Sequence, residues 1–460
     1  LLHWQTRRAR AKILGLPNSF RARAGGQSKK LSPGVQPWDS SGPGLGRGRS
    51  SAGGLPPAAV LCYDGAMPAP ATLPPTIRLA VESGLSERFG GTVRMMEAHN
   101  FPPFRVFRCT LQVSADAAPG TVIVRLPREE DARSEAVRLD HERAALNYLA
   151  AVGGALTPRF FAGGADAGFL VSEDLGPGPS LLDLLLGQNP ETAILGTLAF
   201  ARGLGALHAQ TARIAFSGEA QTGLPRIPVL IAAHWRQVQE AVAALGLPAP
   251  SPDMDRDIAE ISRVLAESQD CFALSSGDPS VVNCKIINGS IRFFDFEEAG
   301  FRHALCDAAV LRFFYPTGGP AWRLPPEITR RAEAAYRAEL ARACPSANSD
   351  SRYEAGMAAA CAAWMIVRLA RLARVDAGPD RDDWPLLPPD WVGPVPTRSR
   401  RQQLVSILET GVTSMDCAHG VDFGALTAWC VRLTNTLRAR WPEATETCPQ
   451  YPAFTPQFIA

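Results

Sequence analysis

Ser275–Phe296 reads SSGDPSVVNCKIINGSIRFFDF and holds three residues whose types and spacing suit one kind of chemistry. Asp278 and Asn283 lie in a loop, and Asp295 follows two short apolar runs joined by Asn288-Gly289. Asn-Gly between apolar runs is a strong hairpin signal, because both positions of such a turn need positive φ. The expected strands are Cys284–Ile287 and Ser290–Phe294, with residue 287 paired to 290. Asn283 then faces Phe294, next to Asp295, so an Asn and an Asp reach the same open end of the hairpin, roughly 5 Å apart. Adjacent strand positions point to opposite faces, so the hairpin ends must bend to aim both at one ion. Two hard oxygen ligands can hold Mg²⁺ on a nucleotide triphosphate. Asp278 could take the proton of a hydroxyl that attacks the γ-phosphate.

The elements that would position these residues follow from periodicity and turn signals. Ile77–Phe89 reads as a helix; Thr92–Glu97, Val106–Val113 and Thr121–Leu126 read as strands, followed by a helix over Ser134–Ala151 and a strand over Gly168–Ser172. Glu173-Asp174-Leu175-Gly176-Pro177-Gly178 breaks regular structure, which closes a small α+β lobe. Helices are expected over 180–186, 192–211, 228–245, 253–268, 326–343, 351–372, 398–410 and 423–441. The Arg-rich stretches 330–342 and 368–374 read as solvated helix faces, and Trp364, Trp384 and Trp391 as packing residues.

The 460 residues suffice for two or three domains or one large two-lobed enzyme. A formal charge of +2 gives no reason to expect a nucleic-acid partner, and no apolar run is long enough to span a membrane. The ten cysteines form no C-x-x-C pair, which argues against a zinc ribbon or a redox site and for a reduced, cytoplasmic chain. Residues 1–66 differ from the rest, with ten Lys/Arg against two Asp/Glu and many Gly, Ser and Pro. They read as a disordered extension, with upstream translation from a mis-assigned start as one origin, since the first methionine is Met67. A basic targeting or nucleic-acid-binding tail is the alternative. The small lobe is then 67–175 and the helical lobe 176–460.

The order Asp–loop–Asn–hairpin–Asp-Phe is the one protein kinases use, and the chain resembles the aminoglycoside phosphotransferase and choline kinase-like enzymes over roughly Phe89 to Asp307. The resemblance implies a two-lobed protein-kinase-like α+β fold, with a small antiparallel-sheet lobe and a large, mostly helical lobe. It implies ATP and Mg²⁺ as cofactors and a small-molecule hydroxyl as acceptor. It implies Asp278 as catalytic base and Asn283 with Asp295 as metal ligands. Arg125, in Val122-Ile123-Val124-Arg125-Leu126, stands where the family carries its phosphate-binding Lys; Glu142 matches the helix Glu that pairs with it, with Glu135 as the alternative. Glu173 and Leu175 belong to the matching hinge, whose backbone would bind adenine. Ser276 stands in place of the family His that supports the loop. Asp307 matches an Asp that braces the loop, and His208 a structural position.

This chain departs from the pattern at Ser276, at Arg125 and over Ala98–Arg105, AHNFPPFR, which lacks the glycines of a phosphate-covering loop. Phosphate grip must then come from Arg125, His99 or Arg105, and metal. Two functions stay open: transfer of phosphate to a small-molecule hydroxyl, or a kinase-shaped binding module without transfer.

Overall fold

The computed structural model describes residues 72–455, apart from 102–104, 115–116, 129–131, 218–222, 228–230, 268, 314–321, 384–396 and 445–447. The expected extension 1–66, Trp384 and Trp391 therefore lie outside the described residues.

The small lobe begins with helix α1 (Pro75–Phe89) and strands β1 (Val93–Phe101), β2 (Val106–Val113) and β3 (Thr121–Arg125). Helix α2 (Ala132–Ala151) follows, then β4 (Phe160–Gly164) and β5 (Phe169–Glu173). The five strands form one sheet in the order β1-β2-β3-β5-β4, with every neighbouring pair antiparallel. Strand β4 was not expected. Its Phe-Phe-Ala-Gly-Gly has little polar alternation, and pairing with β5 decides its state. Along β2 and β3 every second residue is buried: Phe107, Cys109 and Leu111, then Val122 and Val124. These pack with Val81 and Leu85 of α1 in a core confined to this lobe. The opposite side chains of the sheet, Arg125 among them, are thereby turned to the other face.

Helix α2 serves the second core. Leu139, Leu146 and Leu149 join the apolar cluster of the large lobe, together with Leu170 of β5. The large lobe is helical: α3 (Leu181–Leu186), α4 (Pro190–Ser217), α5 (Ile231–Ala244) and α6 (Asp253–Glu267) precede the loop of Asp278. Strand β6 (Phe272–Ser275), the hairpin β7 (Cys284–Ile287) and β8 (Ser290–Phe293), and β9 (Gly300–His303) interrupt them. Short turns α7 (Leu305–Ala308) and α8 (Val310–Phe313) lead to α9 (Pro326–Leu340), α10 (Asp350–Leu369), α11 (Leu372–Ala377), the short strand pair β10 (Arg381–Asp383) and β11 (Thr397–Ser399), α12 (Arg400–Asp416) and α13 (Gly424–Arg440). The expected helices are present within a few residues at most ends. The fold is thus α+β and two-lobed, with an antiparallel sheet on one side and mostly helices on the other. Among the described residues no helix is long and apolar enough to cross a membrane.

Candidate active site

The hairpin has the register that its turn demands. Ile287 pairs with Ser290 and Cys284 with Phe293, while Asn288 and Gly289 both have positive φ, at 51° and 74°. One step beyond, Phe294 donates its N–H to the Asn283 carbonyl at 3.1 Å. The bend that the two ligand candidates require is at Asp295, whose φ is 67°. A positive φ at a non-glycine residue is uncommon and re-aims the chain as it leaves β8. On the other side of the loop, Asn283 is 4% exposed and donates from Nδ2 to the Asp278 carbonyl at 3.1 Å. That bond leaves its Oδ1 as an acceptor.

The loop around Asp278 is fixed from below. Gly277 has a φ of 87°, and a Cβ there would come within 2.5 Å of the Glu298 backbone, so only glycine fits. Ser275 ends β6, and its hydroxyl accepts from Gly277 N–H at 2.9 Å and donates to Asp307 Oδ1 at 2.8 Å. Pairing of β6 with β9 carries Arg302 to the same carboxylate, which it meets through both Nε, at 2.8 Å, and its terminal nitrogen. The other Asp307 oxygen lies 3.3 Å from His208 Nε2, and Tyr336 holds the second ring nitrogen at 2.9 Å. The hydroxyl bound to Asp307 is therefore that of Ser275; Ser276 is its half-buried neighbour. Burial alone would raise the Asp307 carboxyl, but Arg302 and the bonds from His208 and Ser275 hold it down at about 2.

Above the loop lies a buried network of charges that joins the lobes. Arg125 is 7% exposed and forms ion pairs with Glu142 of α2 and with Glu297, two residues past Asp295. Glu135, Arg138 and Glu142 recur at helical spacing and share one face of α2. Arg105 bridges Glu135 at 3.3 Å and Glu297 at 3.1 Å, and Arg138 pairs with Glu135 and, at 2.8 Å, with Glu298. Burial would raise Glu297, but Arg105, Arg125, Arg138 and Arg128 pull it down to about 2. Burial, then Glu297 and Glu142, pushes Asp295 up to about 8. Asp295 thus belongs electrostatically to the same network as Arg125.

Sequence reasoning placed Glu142 beside Arg125 but missed Glu297. The Glu297-Glu298 doublet straight after Asp295-Phe296 was the available signal. Arg105, a phosphate candidate from the sequence, has its side chain committed to Glu135 and Glu297. His99 is exposed on β1, opposite Arg108.

At the hinge, the Glu173 carboxylate is taken by Arg292 at 2.9 Å and by the Arg159 backbone N–H at 3.1 Å. Leu175 is half-buried in the segment that follows. Two further residues fix this segment. Arg108 grips Asp174 with contacts at 2.7 and 3.0 Å, and Lys285 of β7 donates to the Gly176 carbonyl at 2.5 Å. Among the described residues no cluster of three or more His, Cys, Asp or Glu could hold a metal by itself.

Comparison with known proteins places the chain in a family. The model of the phosphotransferase enzyme family matches residues 107–343, more than half of the chain. No curated protein matches in sequence. Solved structures with a similar trace include a choline/ethanolamine kinase family protein from Mesorhizobium loti, at 14% identity and a TM-score of 0.40, covering 77% of this chain and 99% of its own. A choline kinase from Cryptosporidium parvum Iowa II has 11% identity and a TM-score of 0.42, with 74% and 93% covered. An aminoglycoside phosphotransferase from Alicyclobacillus acidocaldarius has 13% identity and a TM-score of 0.36, with 75% and 93% covered. At such identities and scores the assignment rests on the family model: the chain belongs to the phosphotransferase enzyme family.

Proposed function

We propose that the chain transfers the γ-phosphoryl group of ATP to a hydroxyl of a small molecule, with Asp278 as the base. The observation that supports this best is the Asn283 side chain bonded to the Asp278 backbone, with Asn283 paired to Phe294 next to Asp295 and Asp295 in the charge network of Arg125 and Glu142. The acceptor oxygen bonds to the γ-phosphorus, the bond from that phosphorus to the β–γ bridging oxygen breaks, and ADP leaves. Asp278 orients the hydroxyl and takes its proton. Asn283 and Asp295 would hold Mg²⁺, which when bound neutralises phosphate charge. Arg125 steadies the phosphates. A guanidinium has five donors, so one Arg can serve Glu142, Glu297 and a phosphate oxygen together. The Glu173 carbonyl and the Leu175 amide are the groups offered to adenine. Asp307 and Ser275 hold the loop, with Ser276 beside them.

Nine described cysteines are unpaired thiols, which fits a reducing cytoplasm as the site of action. The presence of Asp278, Asn283 and Asp295 together supports transfer over a kinase-shaped binding module. Isothermal titration of Mg-ATP tests the assignment. Wild-type protein is expected to bind in the millimolar range or tighter, and Asp295→Ala to lose that binding. Equal affinity in both proteins would remove Asp295 from the metal site.

A further inference from the structure

The end of α10 carries arginines that have no ion pair among the described residues, and one of them, Arg368, lies within electrostatic reach of Asp278. Arg368, Arg371 and Arg374 recur every three residues through the last turn of α10 and into α11. Most buried or half-buried arginines among the described residues are tied to carboxylates, as Arg105, Arg125, Arg138, Arg302 and Arg312 are. Arg368 and Arg371 have no ion pair among the described residues, and the buried Nε of Arg368 has no hydrogen-bond partner there.

Arg368 is nevertheless well fixed. Its guanidinium lies 4.4 Å from the centre of the Trp364 ring, and that ring stacks on Phe313 at 4.3 Å. A stacked guanidinium keeps its edge donors for other groups. Asp278 is the single carboxylate acting on Arg368 among the described residues. Burial, then Arg368 and Arg374, holds Arg371 down to about 9, so the cluster is short of negative charge. Buried cations are normally paired, and a stacked guanidinium that has no ion pair among the described residues and a buried Nε without a partner there is a prepared oxyanion site, with half-buried Arg371 three residues on.

We propose that Arg368 and Arg371 bind an anionic group of the acceptor, a carboxylate or a phosphate, while its hydroxyl faces Asp278. The acceptor class is then a hydroxylated acid or a phosphorylated alcohol, and cationic amino alcohols and aminoglycosides are disfavoured by like charge. The acceptor role rests on the phosphotransferase reading above; the anion site itself does not.

The test is a titration of the full chain with inorganic phosphate and, separately, choline chloride at constant ionic strength. Wild-type protein is expected to bind phosphate saturably in the millimolar range and choline not at all. Arg371→Gln and Arg368→Gln are each expected to weaken phosphate about tenfold, the worth of one charge-assisted contact. Arg371→Gln leaves the Trp364 stack intact, so it reports even if Arg368→Gln folds poorly. Absence of saturable phosphate binding up to about 50 mM, well past the millimolar range, overturns the proposal. So does wild-type affinity in Arg371→Gln, or tighter binding of choline than of phosphate. Mg-ATP titrated into the same proteins separates the two readings. Phosphate binding lost in the variants with no Mg-ATP binding by wild type would sink the transfer reading and keep the anion site. Loss of Mg-ATP binding in Arg371→Gln with phosphate binding unchanged would assign these arginines to the nucleotide instead.

Discussion

Asp278→Asn is expected to lower kcat by about 10²- to 10⁴-fold, the range over which a positioned general base acts, while Mg-ATP affinity stays within a few-fold of wild type. The substitution keeps the shape of the side chain. It also keeps the backbone carbonyl that accepts from Asn283, so the loop should hold its conformation. What it removes is the acceptor for the hydroxyl proton. Single-turnover transfer from labelled ATP, once an acceptor is in hand, measures this directly, with isothermal titration reporting the nucleotide in parallel. Full activity in Asp278→Asn would remove the base from the mechanism. Lost nucleotide binding would make Asp278 a structural residue of the loop.

Asp307→Ala is expected to be the most damaging single change to stability near the site, at about 3–5 kcal/mol. Asp307 is fully buried and meets Arg302 through two nitrogens, His208 through one, and the Ser275 hydroxyl. Removing it strands a half-buried guanidinium and two polar groups, and releases the strand end from which the Asp278 loop departs. Chemical denaturation of wild type against Asp307→Ala measures the loss; a difference below about 1 kcal/mol, the range of a surface ion pair, would refute it. The acid dependence carries a definite sign. The folded pKa of about 2 lies below the usual 3.8, so the carboxylate contributes stability that is complete above the unfolded value. That part, about 2–3 kcal/mol, is lost as pH falls through the folded value. The gap between wild type and Asp307→Ala should therefore narrow by that amount from about pH 5 to about pH 2. A gap that widens on acidification would contradict the assignment of the shift to Arg302 and its neighbours.

The sequence by itself determined the parts of this protein that depend on near neighbours along the chain. Asn288-Gly289 specified the turn, and the turn specified the register, because a two-residue hairpin loop leaves one way to pair its flanks. Period-2 burial in β2 and β3 and the bounds of most helices were legible for the same reason. Strand β4 and the β6–β9 pair were not. Their residues have weak local preferences, and partners distant in sequence decide them. The pairing of Arg125 with Glu142 was reached only through resemblance to a family, since nothing local ties a strand end to a helix face.

Tertiary structure decided the rest. Glu297 enters the Arg125 network because Asp295 turns the chain at positive φ, which no spacing rule foretold. Ser275 rather than Ser276 reaches Asp307, because adjacent residues of a strand point to opposite faces and β6 pairs with β9 in one register. Arg368–Arg374 read as a solvated helix face, yet Arg368 stacks on Trp364 and lies within electrostatic reach of Asp278. Helical periodicity shows which residues share a face; which neighbour that face meets is a matter of packing between elements far apart in the chain.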